Sequence, residues 1–431
     1  MNNITPKAKK SSIPLVHLSC YPWLVIFLCS TFLFYKYILQ VSPSLMTTEL
    51  MAFFHVSGAG LGNLAATYFY TYAIMQLFAG ILLDKFSPRI LISLAMLATA
   101  LGALFFSTAD NLLEADISRA LIGAGAAFAT VSYMKMAALW FHPSRFAFVS
   151  GLLATAAMLG ALFGEAPMAL LINLVGWQQA LLYVSLMGVV LAVIFILTIK
   201  DKQEDVNVSP VSWAVKVNFK EILVVLKSLN NWYLMFYSGL AFAPVAVFGG
   251  LWGNPFLEVA YRLTKAQAAS LTSLVFLGLA AGGPLFGLLS DRLKQRESMM
   301  AIGTTIALIA LLLVLYVPGL SIWLLATYLF IFGFGIGAFM LVYVIGKEIN
   351  LLALAATVIA MLNTGDALLG ALSEPLTGWL LDLMDPNKAL NGVHYFSAEN
   401  YRIALVILPI YLLAALFFLW RFKKAKIQDY S

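Results

Sequence analysis

Residues 80–89 read GILLDKFSPR, and residues 287–296 read GLLSDRLKQR. Both follow Gly-x-Leu-x-Asp-(Lys/Arg) and close on an arginine, and they start 207 residues apart. A second echo has nearly the same offset. Residues 159–167 read LGALFGEAP and residues 369–375 read LGALSEP, which sets Glu165 and Glu374 209 residues apart. Two independent echoes at one offset predict two homologous halves.

The composition around these echoes is that of a membrane protein. The 431 residues are 62% hydrophobic and 11% charged, with mean hydropathy +0.92. Soluble domains carry about 25% charged residues, so a soluble globular chain is excluded. Apolar runs of about 20 residues recur along the chain, which fits helical spans and not the alternating strands of a barrel. Twelve spans are predicted, near 20–44, 58–83, 89–108, 114–138, 147–173, 177–199, 230–257, 266–289, 298–317, 321–345, 354–382 and 400–421. The first follows the basic KAKK at 7–10, is too long for a signal-peptide core and precedes no small-residue cleavage site. Cys20 and Cys29 lie in that one helix, out of reach of each other.

One long polar connector, beginning KDKQEDVNVSP at 200, splits the spans six and six. The expected organisation is a half at 1–199, a linker at 200–229 and a half with a basic tail at 230–431. Within the linker, WAVKVNFKEILVVLKSL (213–229) has the spacing of a helix lying along the membrane surface. Lysine and arginine gather in the N-terminal tail, the even-numbered gaps and the C-terminal tail. The other side has Arg262, Lys265, Lys388 and Arg402. This asymmetry predicts that both termini are cytoplasmic. It also accounts for the net charge of +6 and pI near 9.1 without any nucleic-acid partner.

The doubled loop resembles the signature of the major facilitator superfamily, Gly-x-Leu-x-Asp-Arg-x-Gly-Arg-Arg, and the resemblance extends over nearly the full length. Gly80, Leu82, Asp84, Lys85 and Arg89 match it, while Ser87 and Pro88 depart; the second copy matches at Gly287, Leu289, Asp291, Arg292 and Arg296. The resemblance implies twelve transmembrane helices in two pseudo-symmetric six-helix halves. It gives Gly80, Asp84, Lys85, Arg89, Gly287, Asp291 and Arg292 a part in conformational switching. The glycines are expected where two helices approach closely. SRALIGAGAAF (118–128) is similar to the family's Arg-x-x-x-Gly-x-Gly pattern, which implies a role for Arg119 in cation coupling. The Gly-Pro of family antiporters is missing: Glu165 follows Gly164 where the proline would stand, which weakens a drug-efflux antiporter reading. FYKYILQVSPSLM (34–46), TYAIMQLFAGILLDKF (71–86) and GGLWGNPFL (249–257) look like the narrower group of bacterial intraphagosomal amino-acid transporters, from which Lys36 and Asp366 are departures.

The intramembrane charges carry the chemical expectation. At about 1.5 Å per residue, Lys36 and Glu165 fall at similar depth, so a Lys36–Glu165 pair is expected. A local Asp116–Arg119 pair is the plain reading of their i,i+3 spacing. Asp366 and Glu374 are eight apart, close to one helix face. Asp382 is expected in solvent at its helix end, and Lys135 is expected to reach for the interface. GGLWGNPF in the seventh span and FGFGIGAF (332–339) in the tenth should bend their helices and free carbonyls for a ligand.

No HExxH, GxSxG or Walker motif occurs, and His17, His55, His142 and His394 show no metal-ligand spacing. Neither an enzyme nor an ATP-driven pump is expected, and no cofactor or metal. A non-transporting sensor on the same fold would need an attached signalling domain, and none is evident. The expected function is proton-coupled alternating-access transport of a small polar metabolite by a monomer in a bacterial inner membrane. Cations in one half and acids in the other favour a zwitterion, an amino acid or small peptide. Nucleosides and organic anions are the alternative. Glu165, Lys36 and Arg119 are the expected proton-coupling residues. Tyr37, Gln40, Tyr133, Trp252, Asn254, Asp366 and Glu374 are the expected substrate contacts.

Overall fold

The computed structural model describes residues 20–141, 143–200, 219–350, 354–384 and 396–429, and among them there are helices and no strands. The N-terminal set comprises α1 (Tyr21–Val41), α2 (Thr47–Phe54), α3 (Gly58–Lys85), α4 (Pro88–Ser107), α5 (Leu112–Trp140), α6 (Pro143–Val175) and α7 (Trp177–Thr198). The C-terminal set comprises α8 (Phe219–Lys227), α9 (Leu229–Pro244), α10 (Gly253–Tyr261), α11 (Lys265–Leu293), α12 (Arg296–Tyr316), α13 (Ile322–Ile336), α14 (Leu341–Glu348), α15 (Ala355–Leu383), α16 (Ala398–Ala404) and α17 (Ile407–Asp429). Of the predicted surface helix, α8 lies within the described residues and 213–218 lies outside them.

Polar residues at the turns set the helix starts. The Ser57 hydroxyl accepts from Gly60 N–H at the head of α3, and Asn111 accepts from Glu114 N–H at α5. Thr264 and Gln267 form a capping box on α11. Gly176 turns α6 into α7 in a single residue at φ 82°, a left-handed backbone that a side chain would strain.

Ten helical segments are long and apolar enough to cross a membrane among the described residues. The other two predicted crossings are α3 and α15, of 28 and 29 residues, which carry the polar side chains Thr67, Tyr68, Tyr72, Gln76, Asn363, Asp366 and Glu374. These two helices pack along each other, and α6 packs along α11, forming two seams between the N-terminal and C-terminal sets. Gly62 permits the first seam: a Cβ there would sit 2.5 Å from Pro375 Cα.

The expected helix breaks are present. Between α9 and α10 the chain runs as a π-helix over Val245–Trp252, after Pro244 and through Gly249 and Gly250. Between α13 and α14 it tightens to a 3₁₀ turn at Gly337–Met340. A third break, not expected, is the 3₁₀ turn Ser42–Leu45, which contains Pro43 and follows α1 directly. The turns at 42–57, 108–111, 176, 262–264 and 317–321 share one end of the molecule with residues 384 and 396–397, called the odd-turn end; the remaining described turns mark the even-turn end.

Candidate functional site

A cavity of about 300 Å³ lies between the two sets. α1 contributes Lys36, Tyr37 and Gln40, and α3 contributes Tyr68, Tyr72 and Gln76. Tyr68, Tyr72 and Gln76 recur every four residues, so they share one helix face. The opposite wall includes Gly250 in the π-helix, Met340 in the 3₁₀ break, Tyr343 of α14, and Asn363 and Asp366 of α15. The two helix breaks therefore reach the cavity, as the sequence predicts.

Lys36 is buried at 2% exposure, and its Nζ lies 4.4 Å from the Tyr37 ring centroid and 4.5 Å from that of Tyr72. Among the described residues it forms no salt bridge. The expected pair with Glu165 is not made. Glu165 packs level with Ser44 beyond the end of α1, whereas Lys36 lies two turns back along α1 and faces the cavity, so the expected equal depth is not found. Phenol faces attract an ammonium and Tyr72 also hydrogen-bonds to it, yet no carboxylate among the described residues balances its charge.

Asp366 is in the opposite condition. Ser238 Oγ donates to its Oδ1 and the Tyr343 hydroxyl donates to its Oδ2, each at 2.5 Å. Tyr343 OH also lies 2.7 Å from Asn363 Oδ1. Both carboxylate oxygens thus already have a protein donor.

Glu165 sits outside the cavity and is fully buried. Ser44 Oγ donates to its Oε1 at 3.0 Å, and Asn254 Nδ2 donates to its Oε2 at 2.7 Å. Asn254 is itself held by Thr272 Oγ1, which donates to Asn254 Oδ1 at 2.6 Å. The carboxylate of α6 is therefore tied across the seam to α10 and α11. Two further ties bind the sets at the same end. Asp382 Oδ1 and Oδ2 accept from Gly58 N–H at 2.7 Å and Ala59 N–H at 2.8 Å, capping α3 where its dipole favours an anion. Lys265 pairs with Glu49. Asp382 is thus a cross-set cap and not the solvated acid expected. Among the described residues, the hydrogen bonds and ion pairs between the sets all lie toward the odd-turn end.

Arg119 of α5 and Glu374 of α15 are electrostatic neighbours without a direct salt bridge. Arg119 donates to Leu39 O at 3.0 Å and Ala65 O at 3.2 Å, with its guanidinium 5.2 Å from the Tyr68 ring centroid. It makes no ion pair with Asp116, contrary to the i,i+3 reading. Glu374 is not on the cavity wall beside Asp366. Eight residues advance a helix by about 80° beyond two turns, enough to rotate the second acid to the seam.

Other expected contacts are also elsewhere. Tyr133 is buried and donates to Val149 O at 2.7 Å, holding α5 to α6. Trp252 Nε1 donates to Glu374 O at 3.1 Å, fixing the π-helix to α15. Neither lines the cavity, and Asn254 serves Glu165. Tyr37, Gln40 and Asp366 do line it. Tyr68, Tyr72, Gln76 and Asn363 were missed, although the four-residue recurrence in YFYTYAIMQ (68–76) was a readable signal. In the doubled loop, Lys85 and Arg292 are exposed, and Arg89 Nε donates to Ile196 O at 2.8 Å. Open space surrounds Gly80 and Gly287, so neither marks the expected close helix approach. Asp291 pairs with Arg296 at 2.9 Å; the side chain of Asp84 lies outside the described ones. Lys135 donates to Leu83 O.

Residues 23–373 match the family profile described as Major Facilitator Superfamily. Among curated relatives, the uncharacterized transporter YybO of Bacillus subtilis is 27% identical over 173 residues, 40% of each chain. The probable L-galactonate transporter of Escherichia coli is 23% identical over 56% of this chain and 55% of its own. The probable galactarate/D-glucarate transporter GudP of Bacillus subtilis is 21% identical over 72% of this chain and 71% of its own. The matched stretches thus span about half the length of the first two. Among solved structures, a bacterial homologue of the human lysosomal transporter Spinster, inward-facing and occupied, superposes with TM-score 0.78 at 16% identity, covering 95% of this chain and 98% of that one. The nucleoside transporter NupG superposes with TM-score 0.73 at 13% identity, covering 92% and 99%.

Proposed function

From a chain that belongs to the major facilitator superfamily, we propose a secondary transporter whose substrate is a small hydroxylated organic acid. The single observation carrying this is the contrast between the cavity's two charges. Asp366 has both oxygens occupied by protein donors, while Lys36 is a buried ammonium facing phenol rings and no carboxylate. A substrate carboxylate would supply the missing counter-charge. Gln40, Gln76, Asn363 and the tyrosine hydroxyls would take the substrate's hydroxyl groups. The names of the sugar-acid transporters among the relatives agree with this chemistry.

We further propose that twelve helices cross a bacterial inner membrane, that the basic even-turn end and both termini are cytoplasmic, and that the two sets rock about the cavity as homologous halves. Proton coupling through Glu165 and Arg119 belongs to the same reading. An amino-acid substrate is the second reading. It is favoured by Lys36 and Asp366 lining one cavity with opposite charges.

A thermal-shift panel on the purified chain separates the two. Hexuronates and aldarates should raise the melting temperature, and the neutral sugars of the same size should not. Stabilisation by amino acids alone would transfer the assignment to the second reading. Stabilisation by nucleosides alone would end both.

A further inference from the structure

A second cavity, of about 440 Å³, opens at the even-turn end, where α3, α4, α5 and α7 meet. Its charged lining residues are Arg89, Lys135 and Lys200, with Phe86 and Trp140 beside them. No acidic side chain lines it among the described residues. Arg89 is positioned by one bond: Nε donates to Ile196 O at the C-terminal turn of α7. Its two terminal nitrogens have no partner among the described residues.

The internal echo of the sequence supplies a comparison within the molecule. Arg296 is the arginine that stands where Arg89 does, 207 residues later. Its guanidinium is claimed by carboxylates: Nη2 lies 2.8 Å from Glu348 Oε1, and Nη1 lies 2.9 Å from Asp291 Oδ1. The same residue type in the same sequence context is thus neutralised in one copy and left with open donors in the other. An arginine fork with two free nitrogens matches a phosphate.

The surroundings indicate where that phosphate comes from. The helices bordering the cavity present apolar side chains outward: Phe86 is 58% exposed, Leu94 55% and Leu197 74%. Within a bilayer these face lipid chains. Trp140 beside the cations is the residue type favoured at headgroup level. A ligand with a phosphate at the cavity and hydrocarbon along α4 and α7 would satisfy both features. We propose that this cavity binds the headgroup of an anionic phospholipid, with Arg89 and Lys200 on the phosphate and the acyl chains against the apolar faces of α4 and α7.

Native mass spectrometry of the purified full chain tests this, with phosphatidylglycerol and phosphatidylcholine as probes and inorganic phosphate as competitor. The unmodified protein should retain one phosphatidylglycerol in preference to phosphatidylcholine by about tenfold or more. Arg89→Gln combined with Lys200→Gln should abolish that preference, and Lys200→Gln alone, which leaves the α4–α7 tie intact, should reduce it. Arg292→Gln combined with Lys294→Gln, in the echoing turn, should leave it unchanged. Retention of the preference by both Arg89/Lys200 variants overturns the site. So does equal loss in the Arg292/Lys294 control, which would mean diffuse surface attraction. Displacement of the lipid by millimolar inorganic phosphate would make this a small-anion site and overturn the lipid assignment.

Discussion

At the scale of the residue, two buried charges with different surroundings account for most of the site. Lys36 faces aromatic rings in the cavity, and Glu165 is fastened by Ser44 and Asn254 outside it. Lys36→Gln keeps the length and removes the charge. Losing one charge-assisted contact of about 1.5–3 kcal/mol should weaken carboxylate binding roughly 10- to 100-fold, read by titration calorimetry. An unchanged affinity would place the anion elsewhere. Glu165→Gln tests the proton-coupling proposal. A carboxylate accepts from both Asn254 and Ser44; a glutamine, like a protonated acid, replaces one of the two acceptors by a donor group and disturbs that pattern. Counterflow should survive in this variant, while accumulation driven by a pH gradient should fall to background. Full accumulation would reduce Glu165 to a structural partner. The sequence made both residues conspicuous, since charges in apolar runs are few. It did not reveal their partners, because counting residues along one helix fixes neither its register against a neighbouring helix nor the direction its side chains face. The same limit hid the separation of Asp366 from Glu374.

At the scale of the element, the odd-turn end is held by helix termini and broken helices. The Asp382 carboxylate caps α3 across the seam, the 3₁₀ turn at Ser42–Leu45 delivers Ser44 to Glu165, and Asn254 sits in the first turn of α10, two residues after the π-helix. Asn254→Ala should remove a tie worth about 1.5–3 kcal/mol and so raise the population separated at that end at least tenfold. Spin labels at Thr108→Cys and Val317→Cys, one in each set, with Cys20 and Cys29 replaced by serine, would report it as a longer distance component. No change in the distribution would mean that Asn254 does not hold the sets together. Gly62→Ala acts in the same direction through overpacking, at about 1–3 kcal/mol. Proline and glycine made the breaks in the seventh and tenth spans legible. The turn at Ser42–Leu45 was not, although Pro43 stood in plain view, because the apolar run continues through it. Asp382 looked solvated because a terminal acid and an inter-helix cap have the same sequence appearance.

At the scale of the whole molecule, the doubled loop and the doubled glutamate made the architecture readable: two sets of helices meeting along α3–α15 and α6–α11, with a cavity between them lined by polar, aromatic and aliphatic side chains. The two seam helices α3 and α15 are the least lipid-like of the predicted crossings because their polar faces turn inward. The proposed orientation predicts that Gln295→Cys resists an impermeant thiol reagent in intact cells and that Asp110→Cys reacts, in the cysteine-free background. The reverse pattern would invert the topology. The central claim, that the cavity carries an organic acid anchored by Lys36, is tested most directly by counterflow in proteoliposomes loaded with unlabelled galacturonate and supplied with the labelled acid outside. The unmodified protein should exchange the label and Lys36→Gln should lose most of that exchange, while neutral galactose fails to compete. Equal exchange by the Lys36 variant, or competition by galactose as strong as that by galacturonate itself, would contradict the account.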